Sequence, residues 1–137
     1  MGYELRAHTA DVAIAAEGPT LRAAFAATAN GLAAAACESW PDTGERIDLT
    51  IEAEGLEALL FDYLDELIYI RDVEAVLPVD NRVEELDEDD ASWHLEGSTR
   101  GVPLEELSAR EIKAITYSDM RIVETDAGWR TYVVVDV

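Results

Sequence analysis

The stretch Leu56–Ile68, LEALLFDYLDELI, carries the clearest periodicity in the chain and decides the fold. Its apolar side chains recur every three or four residues and its acidic side chains fall mostly between them, which predicts an amphipathic helix packed on a sheet. The apolar face comprises Leu56, Leu59, Leu60, Tyr63, Leu64, Leu67 and Ile68. Gly55 is expected to end the preceding strand, so the helix should begin directly after it.

A second helix is predicted nearer the start, where Gly18-Pro19-Thr20 precedes a narrow alanine-rich face. Thr20 is expected to cap this helix, because its side chain can accept a hydrogen bond from an amide of the first turn. Alternating or β-branched sequence predicts strands elsewhere. These are Tyr3–Ala7, Val12–Ala16, Ile47–Ala53, Arg82–Leu86, Ser92–Leu95, the Lys113 segment, Met120–Thr125 and Trp129–Val137. A loop or single turn is predicted over Gly101–Pro103 and Leu104–Leu107.

Two main helices packed on a mostly antiparallel sheet of seven or so strands predict an α+β layered fold. At 15.0 kDa, residues 1–137 are expected to form a single domain around one core. The acidic run Asp87–Asp90 lacks the central glycine and the distant glutamate of an EF-hand loop, so it is interpreted as a solvated hairpin tip.

The charge of the chain is its most unusual compositional feature. Thirty acidic residues against ten basic ones give a net charge of −20, and nine of the ten basic residues are arginine. Concentrated salt shortens the Debye length to about 3 Å at 1 M and so screens the resulting self-repulsion. We therefore expect a halophilic host and a fold that weakens on desalting.

The composition also excludes several classes of function. A strongly acidic chain lacks the cationic surface that neutralises phosphates, which argues against direct, strong binding to nucleic acid. One cysteine, Cys37, and two histidines are too few for an ordinary zinc site, and Cys37 is expected to be a small buried apolar residue. No basic leader and no membrane-length apolar run is present, so the protein is expected to be cytoplasmic, away from membranes.

Lys113, within Glu111–Tyr117 (EIKAITY), is the only lysine in the sequence. Its β-branched and aromatic neighbours favour an extended segment, which would mount the side chain rigidly. A lysine amine is a compact charge suited to proton transfer or to holding a phosphate. The alternative is a structural lysine paired with one of the many carboxylates.

Acidic residues near both ends of the sequence are candidates for a metal site. Asp136 and a carboxylate or main-chain oxygen of Val137 lie side by side after the apolar run Val133–Val135. If the first and last strands are neighbours, Asp11 could join them, and such oxygen ligands suit Ca²⁺, Mg²⁺ or Mn²⁺. The alternatives are an Asx-type turn for Asp11 and a place at the edge of the core for nearby His8.

The chain resembles the archease family nearly end to end. The resemblance rests on ordered blocks rather than on one motif: His8–Asp11, Thr20–Leu21 through Phe25, Leu59–Leu60 through Leu64, Glu66–Leu67, Tyr69, Glu111–Tyr117, Trp129 and Val134–Val137. Ser118 stands where histidine is expected in many members, so an acid-base role is not carried over to that position.

The resemblance implies a protein cofactor, not an enzyme, that promotes guanylylation and multiple turnover of the GTP-dependent 3′-phosphate tRNA-splicing RNA ligase. GTP would be met only through the ligase. The family's divalent-metal site maps to Asp11 and Asp136, with an oxygen of Val137 as a third ligand and Ca²⁺ as the expected ion ahead of Mg²⁺ or Mn²⁺. Lys113 matches the family's functional lysine, and His8 is included with it as a functional residue.

Two alternatives remain open from the residues alone. A metal-dependent phosphotransferase or hydrolase would use the same aspartates and lysine, although the sequence contains no P-loop and no evident nucleophile triad. A chaperone-like modulator of RNA-modifying enzymes would need exposed apolar surface instead. Turnover by the isolated protein would favour the first, and activity on unrelated clients without metal would favour the second.

Overall fold

The computed structural model describes residues 2–8 and 11–137, with the side chains of residues 6–8 left out of the description. Within these residues the chain forms two helices, eight strands and a short 3₁₀ turn at Leu104–Glu106. In chain order the elements are β1 (Tyr3–His8), β2 (Asp11–Gly18), α1 (Leu21–Ala36), β3 (Glu45–Ala53), α2 (Leu56–Glu74), β4 (Val76–Glu88), β5 (Trp93–Pro103), β6 (Ala114–Ile115), β7 (Arg121–Thr125) and β8 (Gly128–Asp136).

The described strands form two antiparallel sheets rather than one. The five-stranded sheet has the order β1-β2-β8-β6, and β7 also pairs with β8. β8 is its central strand, because β2 takes one edge while β7 and β6 follow each other along the other edge. The three-stranded sheet has the order β3-β5-β4. The predicted α+β fold, with two helices on antiparallel sheet, is therefore confirmed.

Both predicted helices form, and the predicted cap is confirmed. The Thr20 hydroxyl accepts a hydrogen bond from the Ala23 amide at 3.1 Å, which satisfies one free donor at the start of α1. Small residues let α1 lie close to β2, since a Cβ added at Gly31 would stand 2.6 Å from Ile14 Cγ2. α1 contacts both sheets, while α2 packs mainly on the three-stranded sheet and on β6. The core lies between these layers.

The predicted loop or single turn is confirmed at Leu104–Glu106, which form a 3₁₀ turn, but it is wrong at Gly101–Pro103, which form the last part of β5. Glycine and proline usually indicate a turn, but here each has a packing reason to stand in a strand. A Cβ at Gly101 would lie 2.9 Å from Val76 Cγ2, so the glycine leaves room for that neighbour. Pro103 is opposite Val76 where the pairing of β4 with β5 ends.

The strand predicted at Arg82–Leu86 is only the second part of β4, which begins at Val76. A break in register between Val79 and Arg82 hides the first part, because it interrupts the alternation of apolar and polar residues. Asp80 there has a positive φ of 48°, and the Asn81 amide donates to Asn30 Oδ1 of α1 at 2.8 Å.

The acidic run Asp87–Asp90 does lie at a hairpin tip, as predicted: Asp87 and Glu88 end β4, and Asp89 and Asp90 lie in the turn before β5. The Asp89 amide donates to the Ser92 carbonyl at 2.9 Å, and Asp89 Oδ1 lies 3.3 Å from Ser92 Oγ. This carboxylate therefore stabilises the turn. Cys37, at the end of α1, is buried as predicted.

Candidate functional site

Asp11 and Asp136 lie directly opposite each other at one end of the five-stranded sheet. Asp11 is the first residue of β2 and Asp136 the last of β8, and the register pairs them before Val12 with Val135. Residues opposite each other in an antiparallel pair project from the same face, with Cβ atoms about 4.5–5.5 Å apart. The structure therefore places the two predicted carboxylates side by side, Asp11 half-buried and Asp136 exposed.

Lys113 joins this end of the sheet through its main chain. The Lys113 amide donates to the Asp136 carbonyl at 2.8 Å, and the next residue, Ala114, is the β6 partner of Asp136. Thr116 fixes the other side of β6, because its amide and its hydroxyl both donate to the Val134 carbonyl, at 3.1 and 3.0 Å. Lys113 is exposed, so its amine is accessible, and its main chain lies beside the strand end that carries Asp136.

The N-terminal part of the predicted site is only partly described. His8 ends β1 opposite Asp11, so its main chain borders the carboxylate pair. The His8 side chain lies outside the described residues, as do Thr9 and Ala10, which precede Asp11. Val137 follows β8 and is half-buried, next to Asp136.

Arg71 of α2 anchors the segment that carries Lys113, and the sequence reasoning missed it. Its side chain is 11% exposed, and its guanidinium donates to the Ile112 carbonyl at 2.9 Å. It also donates to Asp72 Oδ1 and lies 4.0 Å from a Glu111 oxygen. The sequence did hold a signal, because Arg71 continues the apolar stripe of α2 after Leu64 and Leu67, where a charged residue needs a buried partner.

The oxygen atoms at this site suit a hard divalent cation. Ca²⁺ and Mg²⁺ bind carboxylates, main-chain carbonyls and water, and Mg²⁺ commonly takes only one or two carboxylates from a protein. No group of three or more His, Cys, Asp and Glu side chains is arranged for a metal within residues 2–8 and 11–137, as far as their side chains are described. Asp11 and Asp136 thus fit such an ion only if main-chain oxygens or water complete its coordination.

A second cluster of titratable groups lies on the three-stranded sheet, away from these residues. His94 stands between two carboxylates, with Nε2 at 3.0 Å from Glu96 and Nδ1 at 3.4 Å from Glu52. The hydrogen bond to Glu96, followed by that to Glu52, raises the pKa of His94. Repulsion from Glu96 raises the pKa of Glu85 in turn. This cluster is a surface network of charged side chains, and it includes none of the residues predicted for the metal site.

No described helix combines the length and the apolar character that a transmembrane span requires.

Known proteins match this chain over almost its whole length. The profile of the Archease protein family (MTH1598/TM1083) matches residues 3–137. Protein archease of Pyrococcus furiosus is 34% identical, with 98% of each chain covered, and protein archease of Methanosarcina acetivorans is 32% identical, covering 98% of this chain and 95% of the other.

Solved structures extend the match to the fold. The solution structure of a Methanobacterium thermoautotrophicum protein superposes with a TM-score of 0.84 at 30% identity, covering 99% of both chains. The crystal structure of a Thermotoga maritima protein, described as an archease and possible chaperone, has a TM-score of 0.60 at 18% identity over 98% of each chain, and so supports the fold alone. From the family profile and these relatives together, the chain belongs to the archease family.

Proposed function

We propose that this chain is a protein cofactor that activates the 3′-phosphate tRNA-splicing RNA ligase by promoting its guanylylation and its multiple turnover. Membership of the archease family supports the proposal. The observation that carries it is the pairing of Asp11 with Asp136 beside the main chain of Lys113. Together these residues offer two carboxylates and one amine at an accessible end of the sheet, a combination suited to phosphate chemistry.

Asp11, Asp136 and a main-chain oxygen of Val137 would hold a divalent cation, with Ca²⁺ first and Mg²⁺ or Mn²⁺ as alternatives. Such an ion supplies positive charge that neutralises phosphate oxygens. The contribution of this chain is to hold the ligands in place: Asp11 and Asp136 are fixed by a continuous register of eight residue pairs between β2 and β8. The main chain of His8 borders the site opposite Asp11, and His8 is proposed as a further functional residue.

Lys113 would place one ammonium next to the phosphates in the nucleotide site of the ligase. The peptide group between Ile112 and Lys113 is held at both of its polar ends, because the Lys113 amide donates to the Asp136 carbonyl and Arg71 donates to the Ile112 carbonyl. The side chain therefore starts from a fixed point while its exposed amine reaches outward. A point charge on a rigid mount orients a phosphate group at low entropic cost.

The charge of the chain favours action through a protein rather than through RNA. A net charge of −20 repels the phosphate backbone, so we propose that the ligase binds both the RNA and the GTP. The cofactor would contribute only groups that enter the ligase site.

A guanylylation assay with the ligase of the same organism in molar KCl tests this function. Asp11→Asn, Asp136→Asn and Lys113→Ala should each lower stimulation of guanylylation at least about tenfold, the effect expected when a charged group that stabilises transferring phosphate is lost. Asp90→Asn, in the hairpin tip of the other sheet, is the matched control and should stimulate like wild type. Chelation with EDTA should abolish the effect of wild type, and Ca²⁺, Mg²⁺ and Mn²⁺ are then added back singly.

Normal stimulation by well-folded Lys113→Ala and Asp11→Asn variants would overturn this function. Turnover of a phosphorylated substrate by the isolated chain would instead support a phosphotransferase or hydrolase.

A chaperone-like modulator of RNA-modifying enzymes is the second candidate. It is favoured by exposed apolar side chains, among them Tyr69 at 60% and Val123 at 48% exposure. This function predicts that unrelated clients are protected from aggregation without any metal, and that Lys113→Ala protects them as well as wild type.

A further inference from the structure

The outer face of α2 exposes large apolar side chains in a regular order. Phe61, Asp65, Tyr69 and Val73 follow one another at intervals of four residues on one ridge of the helix, and Phe61 is half-buried at the end where the ridge meets the core. Tyr69 is 60% exposed and Val73 is 58% exposed. Ridges with this spacing are the surfaces that pack into grooves of another element.

Tyr117 connects this ridge to the segment that carries Lys113. Its ring stacks on that of Phe61, with centroids 4.3 Å apart and planes inclined by 8°, and Tyr117 is still 55% exposed. It lies four residues after Lys113 in the sequence. We call Phe61, Tyr69, Val73 and Tyr117 the aromatic ridge. The aromatic ridge therefore includes a residue of the exposed segment that carries Lys113.

The charge around the aromatic ridge has a single sign. The acidic residues of α2 are Glu57, Asp62, Asp65, Glu66, Asp72 and Glu74. The only basic residue of the helix is Arg71, and its guanidinium is buried against the Ile112 carbonyl. The face that α2 presents outward thus combines apolar side chains with carboxylates alone.

We propose that the aromatic ridge is the docking face for the RNA ligase, on a basic surface of the ligase that carries an apolar groove. This inference rests on the proposed function. The negative charge of this face indicates which partner can bind it. A second copy of the chain has a net charge of −20, and nucleic acid and anionic lipid are also negative, so all three are repelled. A surface rich in arginine and lysine is complementary, and the aromatic side chains supply the buried anchors.

Binding of the ligase to the aromatic ridge would bring Lys113 and the paired aspartates to the nucleotide site of the ligase. Because Tyr117 is joined to the Lys113 segment and stacked on α2, one partner surface can contact the aromatic ridge and receive the Lys113 amine at once. Docking and activation would thus be separate contributions from neighbouring residues: the aromatic ridge sets the affinity, and Lys113 with the aspartates sets the maximal effect.

Calorimetric titration of the full chain into the ligase, alongside guanylylation at increasing cofactor concentration, separates the two contributions. The double variant Tyr69→Ser/Val73→Ser should raise Kd and the half-maximal concentration at least about tenfold, with the saturated rate unchanged. Val123→Ser removes a 48% exposed apolar side chain from the five-stranded sheet and should leave Kd and the half-maximal concentration at their wild-type values. Asp65→Lys should raise Kd about threefold, whereas Asp90→Lys should not.

The outcomes distinguish this inference from the function beneath it. Tight binding and full stimulation by Tyr69→Ser/Val73→Ser, with wild type active, would overturn the docking face alone. A wild-type chain that neither binds nor stimulates the ligase would overturn the proposed function, and with it the ligase as occupant. Lys113→Ala should show the reverse of the double variant, with wild-type Kd and a reduced saturated rate.

Discussion

Replacing Arg71 with methionine tests whether α2 holds the Lys113 segment in place. Methionine fills a similar volume but leaves the buried Ile112 carbonyl without the donor now at 2.9 Å, which costs about 1–3 kcal/mol. Relief from burying a charge offsets part of this cost. The hydrogen bonds to Asp72 add little, because the Asp72 side chain is 60% exposed. The expected net loss in the free energy of unfolding is about 1–2 kcal/mol.

Urea unfolding in molar KCl measures the loss directly, and thermal unfolding should show a decrease in Tm of about 4–8 °C. Amide hydrogen exchange adds a local readout, because the Lys113 amide is bonded to the Asp136 carbonyl and should lose protection. Arg82→Met is the matched control: its side chain is 61% exposed, so its pair with Asp80 should contribute less than about 0.5 kcal/mol. An Arg71→Met variant with wild-type stability and unchanged protection at Lys113 would refute the reasoning.

Three further predictions concern the core, the pH response and salt. The Tyr63 hydroxyl is buried with no hydrogen-bond partner among the described residues, and burial raises its pKa. Tyr63→Phe should therefore raise the free energy of unfolding in urea by about 1 kcal/mol. Tyr69→Phe, at an exposed tyrosine, is the control and should leave that free energy unchanged. The pKa of His94, raised by Glu96 and then by Glu52, should exceed 6.5 in an NMR titration and should fall toward 6.5 in Glu96→Gln. The contribution of His94 to stability is present below pH 6.5 and is lost as the pH rises through the folded-state pKa. An unshifted titration of His94 in the wild type would contradict this prediction. With thirty acidic and ten basic residues, Tm should rise between dilute buffer and molar KCl, and NaCl should act alike; an unchanged Tm would contradict the halophilic interpretation.

Elements whose burial follows a local repeat could be predicted from the sequence. α2 is the clearest case, because its apolar residues face the core at helical spacing and Leu59, Leu60 and Leu64 are completely buried. The cap at Thr20 could be predicted because it is also local: its hydrogen bond joins Thr20 to Ala23, only three residues away. The C-terminal part of β5 could not, because Gly101 is explained by Val76, a residue that is distant in the sequence.

The candidate site depends on the pairing of β2 with β8, which the sequence alone could state only as a condition. Asp11 and Asp136 meet because β2 pairs with β8 in a register that extends from Asp11–Asp136 to Gly18–Trp129. A shift by one residue would move either carboxylate to the other face of the sheet. The sequence named both residues, but their proximity follows from the packing of valines such as Val133 and Val135 in the core. The division into two sheets was likewise beyond a local pattern.

The arginines explain why the chain keeps a single lysine. Several arginines tie separate parts of the chain together by donating to main-chain carbonyls, which a planar guanidinium with five donors does better than an ammonium. The pairs are Arg22 with Glu84, Arg46 with Asp80, Arg71 with Ile112, Arg100 with Pro41 and Thr43, and Arg110 with Ala35. Such hydrogen bonds to neutral carbonyls are less sensitive to salt than surface ion pairs, so they suit an acidic protein in concentrated salt. Lys113 is the exception to this pattern: it is exposed and its amide is bound to the Asp136 carbonyl, which fits the role we propose for its compact charge in binding phosphate better than a structural tie.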